Sequence, residues 1–164
     1  MFPDDIADLA AAVIAAASKR GLTVATAESC TGGLVAGALT AVAGSSAVVD
    51  RGFVTYSNAA KTALLGVPGA MLEAHGAVSE PVARAMAEGA RERAGTQLSV
   101  SITGIAGPGG GSAEKPIGLV HFGCAMPAGV AHERHVFAGL DREGVRLAAV
   151  RTALRLLLSA CEVR

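Results

Sequence analysis

Strand-type stretches alternating with helical ones constrain this chain more than any single residue does, because such alternation admits few layered arrangements. The first helical pattern covers residues 4–19, with Ile6, Leu9, Val13 and Ala16 or Ala17 at helical spacing. Asp4 and Asp5 at its start and Lys19 and Arg20 at its end complement the helix dipole, and Gly21 ends it. LTVATAE (22–28) reads as a short buried strand, 31–43 as a helix of small residues, and 46–57 as a second strand. Two short helices follow, around 58–65 and 69–75. Residues 79–95 form an amphipathic helix with Ser79 as N-cap, Pro81 in the first turn, and Val82, Ala85, Met86, Gly89 and Ala90 facing inward.

A third strand, 98–107, feeds the glycine loop GPGGGSAEKP. Strands at 117–126 and 129–139 have only Pro127 and Ala128 between them and form a hairpin. Asp141 caps a last helix, which carries Leu147, Val150, Leu154, Leu157, Leu158 and Cys161 on one face. The expected fold class is α/β: a three-layer α/β/α sandwich with a mixed, mostly parallel five-stranded sheet, in one domain over 1–164.

In such sheets ligands bind at the carboxyl ends of strands. Three polar segments fall there, the first and third bearing glycines: ESCTGG, TYSNAAK and TGIAGPGGG. A serine at a strand-to-helix turn projects from the chain, and the free N–H groups of the helix start receive negative charge. That geometry suits a nucleophile with oxyanion donors. Ser29 or Thr31 as a mere N-cap is the plainer alternative, and it stays open. Gly32 and Gly33 favour function, because two glycines in a first turn cost roughly 1 kcal/mol each.

No histidine lies near these segments, so Lys61 is the candidate base for Ser29. Tyr56, the one tyrosine, stands five residues earlier, placed to relay a proton or donate to an oxyanion. A solvated surface role for Lys61 also stays open. So does a nucleophilic Cys30, its thiol activated by a helix N-terminus. The glycine loop offers backbone donors suited to phosphate or carbonyl binding, with simple flexibility as the alternative. It lacks the ending of a P-loop and the helix of a dinucleotide fingerprint. His132 and His135, three apart on a strand, face opposite sides of the sheet, so a shared metal is not expected.

Lys plus Arg and Asp plus Glu are 14 each, so no basic excess draws nucleic acid. Three cysteines without CxxC spacing fit a reduced, cytoplasmic setting and no zinc site. The N-terminus lacks a signal-sequence pattern, and no membrane segment is expected.

The blocks AESCTGG, VTYSNAAKTALLGV, GAVSEPVARAMAEGAR and SITGIAGPGGGSAEKPIGLV, in this order across the chain, resemble the CinA C-terminal domain family. That family includes nicotinamide-nucleotide amidohydrolases and competence/damage-inducible proteins. The resemblance implies a three-layer sandwich with a five-stranded mixed sheet. It also implies hydrolysis of the carboxamide of nicotinamide mononucleotide to nicotinic acid mononucleotide and ammonia, in pyridine-nucleotide salvage. Its serine nucleophile and assisting tyrosine and lysine map onto Ser29, Tyr56 and Lys61. Glu28, Thr31, Gly32, Gly33, Thr103, Gly104, Gly107 and Gly109 are the expected substrate contacts. Neither metal nor cofactor is expected. The implied partner is a small-molecule nucleotide, and a homo-oligomer, dimer or higher, is left open. Some relatives carry an additional N-terminal domain resembling molybdopterin-binding proteins, and this chain reads as the stand-alone form. The competing reading is a nucleotide-binding module without catalysis, linked to competence or DNA damage; it has no need of Ser29 or Lys61.

Overall fold

Strands with no exposed face carry the centre of the sheet. In the computed structural model, which describes residues 1–163, β1 (Val24–Glu28) is buried along its whole length. After it come a seven-residue helix α2 (Leu34–Thr40), the strand β2 (Val49–Val54), and two short helices, α3 (Asn58–Leu65) and α4 (Gly69–His75). Helix α5 (Glu80–Ala94) leads into β3 (Leu98–Gly104), and the hairpin β4 (Leu119–Met126) and β5 (Gly129–Val136) precedes the long α6 (Arg142–Glu162). Helix α1 (Asp4–Arg20) opens the chain and ends at Gly21, whose φ of 62° is left-handed.

The sheet order is β2-β1-β3-β4-β5. Strand β1 pairs in parallel with β2 and β3, while β4 runs antiparallel to both β3 and β5. Four strands therefore point one way and leave the sheet at one edge, with β4 alone reversed. The mixed five-stranded sheet is as expected. Strand β2, on the outside, is mostly exposed.

Helices α1, α2 and α6 cover one face, where Ile6, Val13, Leu39, Leu154 and Leu157 pack on Val100, Ile102 and Phe122, all at most 2% exposed. Each such side chain contributes roughly 1.5–3 kcal/mol of burial. Helix α5 covers the other face, with Val82, Met86 and Ala90 joined by Leu65 and Leu72 of α3 and α4. The sheet under α5 is lined by small residues, and a Cβ on Gly123 would lie 2.6 Å from the Ala83 carbonyl oxygen. Ser99 and Ser101 donate their hydroxyls to the carbonyls of Ala87 and Ala83, so their buried oxygens are satisfied. Gly89 meets α3 still more closely, since a Cβ there would fall 1.9 Å from the Leu65 oxygen.

The largest departure from expectation is α2, which begins at Leu34 rather than near 31. Gly32 and Gly33 have φ of 58° and 101°, values that cannot continue a right-handed helix. They form the turn before α2, and their glycine requirement comes from that turn. Among the described residues, no helix is long and apolar enough to cross a membrane.

Candidate active site

The exits of β1, β2 and β3 converge on one cavity of about 320 Å³. Ser29 is the first residue beyond β1. Its N–H donates to Ile102 of β3 at 3.0 Å, while Thr55 beyond β2 donates to Glu28 at 2.8 Å, so the serine is held between the two neighbouring exits. Ser57 then caps α3, its hydroxyl accepting from Ala60 N at 3.0 Å, and the first turn of α3 turns Lys61 inward. Lys61 is 1% exposed.

Its Nζ lies 3.1 Å from Ser29 Oγ, 2.8 Å from the Thr55 carbonyl oxygen and 3.5 Å from that of Tyr56. Burial holds this amine below the ordinary lysine range, and no carboxylate offsets that burial. A neutral amine has two hydrogens and one lone pair. Once deprotonated, the amine would have the two carbonyls for its hydrogens and the serine hydroxyl for its lone pair. The solvated-surface reading of Lys61 does not survive.

Glu28 has a different place from the one expected. Its side chain is 0% exposed, and its carboxylate accepts from Gly33 N, Val35 N and Ala36 N at 3.1, 3.1 and 2.9 Å. The acid therefore caps α2 and occupies the donors that an anionic ligand would have used. The N-cap position itself is Gly33, so neither Ser29 nor Thr31 serves as cap. Thr31 is 0% exposed and its Oγ1 has no hydrogen-bond partner. None of Glu28, Thr31, Gly32 and Gly33 lines the cavity. These four, expected as substrate contacts, lie off the cavity lining, because the turn points the start of α2 at Glu28.

Thr103, Gly104, Gly107 and Gly109 do line it, opposite Ala77 and Val78. Their reasons differ. Thr103 donates its hydroxyl to the Ala77 carbonyl at 2.9 Å. A Cβ on Gly104 would lie 2.7 Å from Val120 Cγ2, and one on Gly107 2.7 Å from Ile117 Cγ2, so both glycines make room for protein. Gly109 faces open space. Among the described residues, the N–H groups of Ala106, Gly107, Gly109 and Gly110 find no protein acceptor.

Tyr56 is on the rim, 62% exposed. Its hydroxyl accepts from Arg142 Nη2 at 3.1 Å and makes no hydrogen bond to Ser29 or Lys61. Arg142, in the first turn of α6, also donates to Gly107 O at 2.8 Å and lines the cavity. One turn later Arg146 donates to the carbonyls of Cys30 and Thr31 at 3.1 and 3.3 Å, fixing the turn that bears Ser29. Sequence reasoning missed both arginines. The signal was topological: β5 points the same way as β3, so α6 must start at the edge where the site lies.

Cys30 is 6% exposed, and burial, reinforced by the Glu28 charge, pushes its thiol up to about 11. That overturns the idea of a thiol activated by a helix terminus. His132 and His135 do lie on opposite faces. The first sits 2.9 Å from His121 and the second 2.7 Å from Glu133. Among the described residues, no group of three or more His, Cys, Asp or Glu side chains could hold a metal ion.

The family model described as the CinA C-terminal domain matches residues 6–161. A CinA-like protein of Anaeromyxobacter dehalogenans is 57% identical over 154 residues, which is 94% of this chain and 37% of that protein. The chain thus spans little more than a third of the curated relatives it matches. The crystal structure of competence/damage inducible protein CihA from Agrobacterium tumefaciens superposes with a TM-score of 0.96 at 54% identity, covering 98% of both chains. A competence-damaged protein (CinA) superfamily protein from Klebsiella pneumoniae does so at 0.91 and 38%, covering 96% of this chain and 98% of that one. The chain belongs to the CinA C-terminal domain family.

Proposed function

We propose that this chain is an amide hydrolase that converts nicotinamide mononucleotide to nicotinic acid mononucleotide and ammonia, with Ser29 as nucleophile and Lys61 as its base. The observation that carries the reading is the buried amine of Lys61, 1% exposed and 3.1 Å from Ser29 Oγ inside a substrate-sized cavity. A lysine with no carboxylate partner is expensive to bury as a cation, and a neutral one is a competent base.

In the proposed reaction Ser29 Oγ attacks the carboxamide carbon while Lys61 Nζ takes the hydroxyl proton. The resulting oxyanion is received by backbone N–H groups; those of Cys30, Ala106 and Gly107 border the cavity without an acceptor among the described residues. As the C–N bond breaks, the Lys61 ammonium returns the proton to the departing nitrogen, which leaves as ammonia. Water then attacks the acyl-serine, Lys61 takes one of its protons, and Ser29 leaves with that proton; the carboxylic acid so formed gives its own proton to solvent and becomes the carboxylate. Because Arg142 donates to the Tyr56 oxygen, the phenolic O–H remains free to donate to substrate. Arg142 and the N–H groups of Gly109 and Gly110 suit the 5′-phosphate.

The test is ammonia release from nicotinamide mononucleotide by the purified chain and by Ser29→Ala. The wild type should turn over, and the variant should lose at least about a thousandfold while folding normally. Tight binding of the mononucleotide without ammonia release would favour the non-catalytic module. Near-full turnover by Ser29→Ala would remove the serine from the role of nucleophile.

A further inference from the structure

The glycine loop after β3 is held to the rest of the fold at its outer part by one side chain. Within the loop, Ser112 N donates to Lys115 O at 2.8 Å and Lys115 N to Ser112 Oγ at 3.0 Å. Ile117 packs over Gly107 and Gly111, where a Cβ would come within 2.7 and 2.8 Å of it. The loop is thus a folded unit rather than a slack tether. Its base is tied by Gly118 N to Ile105 O at 2.8 Å and by Arg142 to Gly107 O at 2.8 Å. Between Pro108 and Lys115, the one hydrogen bond to a residue outside the loop, among the described residues, runs from Lys115 Nζ to His75 O at 2.6 Å.

His75 ends α4, and its carbonyl is one that the helix leaves without an internal partner. The next residue, Gly76, has φ of 72° and ψ of 163°, a conformation essentially confined to glycine. A Cβ there would lie 2.9 Å from Lys115 Nζ, so the backbone is shaped to let the ammonium in. Neither Lys115 nor His75 lines the cavity, yet each adjoins a stretch that does: Gly107 to Gly110 on one side, Ala77 and Val78 on the other. Thr103 already joins Ala77 to β3 at the inner end. Lys115 is the corresponding tie on the outer side.

We infer that Lys115 is a positioning residue that fixes the distance between the glycine loop and the segment after α4, and so sets how firmly the cavity holds its ligand. The inference builds on the proposed amidase reading for its kinetic consequence, but the tie itself is tested without it. Lys115 is partly exposed and far from Ser29 in sequence, so Lys115→Met should fold. Amide hydrogen exchange of residues 109–116 should speed up by about tenfold in Lys115→Met, as expected when one charge-assisted bond is lost, and return towards wild type in Lys115→Arg. With nicotinamide mononucleotide as probe, KM should rise about tenfold in Lys115→Met while kcat stays within about twofold, and Lys115→Arg should recover most of the difference. A role confined to capping α4 would lower the melting temperature but leave loop exchange and KM alone, and that result overturns the inference. A fall in kcat at constant KM overturns it too. If the wild type proves inactive on the mononucleotide, the amidase reading fails, and loop exchange alone then decides for or against the tie.

Discussion

Replacing Lys61 tests the proposed chemistry most directly, because the structure predicts effects on both rate and stability. The Nζ has three oxygen neighbours, at 2.8, 3.1 and 3.5 Å, and the residue is only 1% exposed. Lys61→Arg keeps a positive charge but has no proton to give up near neutrality. It should therefore lose the general-base contribution, about 10²–10⁴ in kcat/KM, which is about 3–5 kcal/mol of transition-state stabilisation. Lys61→Met should lose as much. In the wild type kcat/KM should climb with pH along one limb, with an apparent pKa below the ordinary lysine range, and both variants should lack that limb.

Stability should respond in the same pH window, with a definite sign. Below the folded-state pKa of Lys61 both folded and unfolded chains carry the proton, and the penalty for burying the ammonium stands in full. Between that pKa and the unfolded value of about 10.4, the unfolded chain binds more protons, so stability rises with pH. The slope from this one group cannot exceed about 1.4 kcal/mol per pH unit. Urea unfolding of wild type and Lys61→Met from about pH 6 to about pH 10 should show the wild type gaining on the variant as pH rises. Lys61→Arg retaining most of the turnover, or wild type and Lys61→Met changing in parallel with pH, would refute the neutral-base argument.

Other expectations follow from the same geometry. Glu28→Ala removes three bonds to buried or half-buried N–H groups and should destabilise the fold by about 3–5 kcal/mol in urea; a loss under about 1 kcal/mol would mean that the carboxylate is not the cap of α2. Cys30→Ala should keep kcat/KM within about twofold, since its thiol is buried and protonated, and a loss beyond about a hundredfold would move the nucleophile to sulfur. Nicotinamide riboside, which lacks the phosphate, should have kcat/KM at least about tenfold below the mononucleotide, and Arg142→Ala should narrow that gap; equal values for the two substrates would free the glycine loop of the role.

The convergence of Ser29 and Lys61, 32 positions apart, was legible in the sequence. Polar segments after neighbouring parallel strands must leave the sheet at the same edge, and β1 and β2 are such neighbours. What Glu28 does was not legible, because it depends on how Gly32 and Gly33 swing the start of α2 back over the end of β1. Sequence spacing has no term for that turn's direction. Arg142 and Arg146 belong to no motif, and their place at the site follows only once β4 is known to reverse the chain and β5 to reverse it again. Lys115 was read only as a member of a loop, since the path of a glycine-rich segment is set by contacts such as Ile117 on Gly107 rather than by propensity.

The burial of Lys61 lies between these cases. In NAAKTALLG the adjacent Leu64 and Leu65 leave two inward faces open, one through Ala60 and Leu64 and the other through Lys61 and Leu65. Ordinary reasoning prefers the first, because it puts the lysine in water. The structure takes the second, with Leu65 2% exposed and Leu64 44% exposed. Gly89 of α5 permits that packing, since a Cβ there would fall 1.9 Å from the Leu65 oxygen and only glycine lets the two helices lie so close. A residue of the neighbouring helix thus helps to hold the lysine out of water, and a larger residue at that position would push α3 and α5 apart at Leu65, one turn from the amine that faces Ser29.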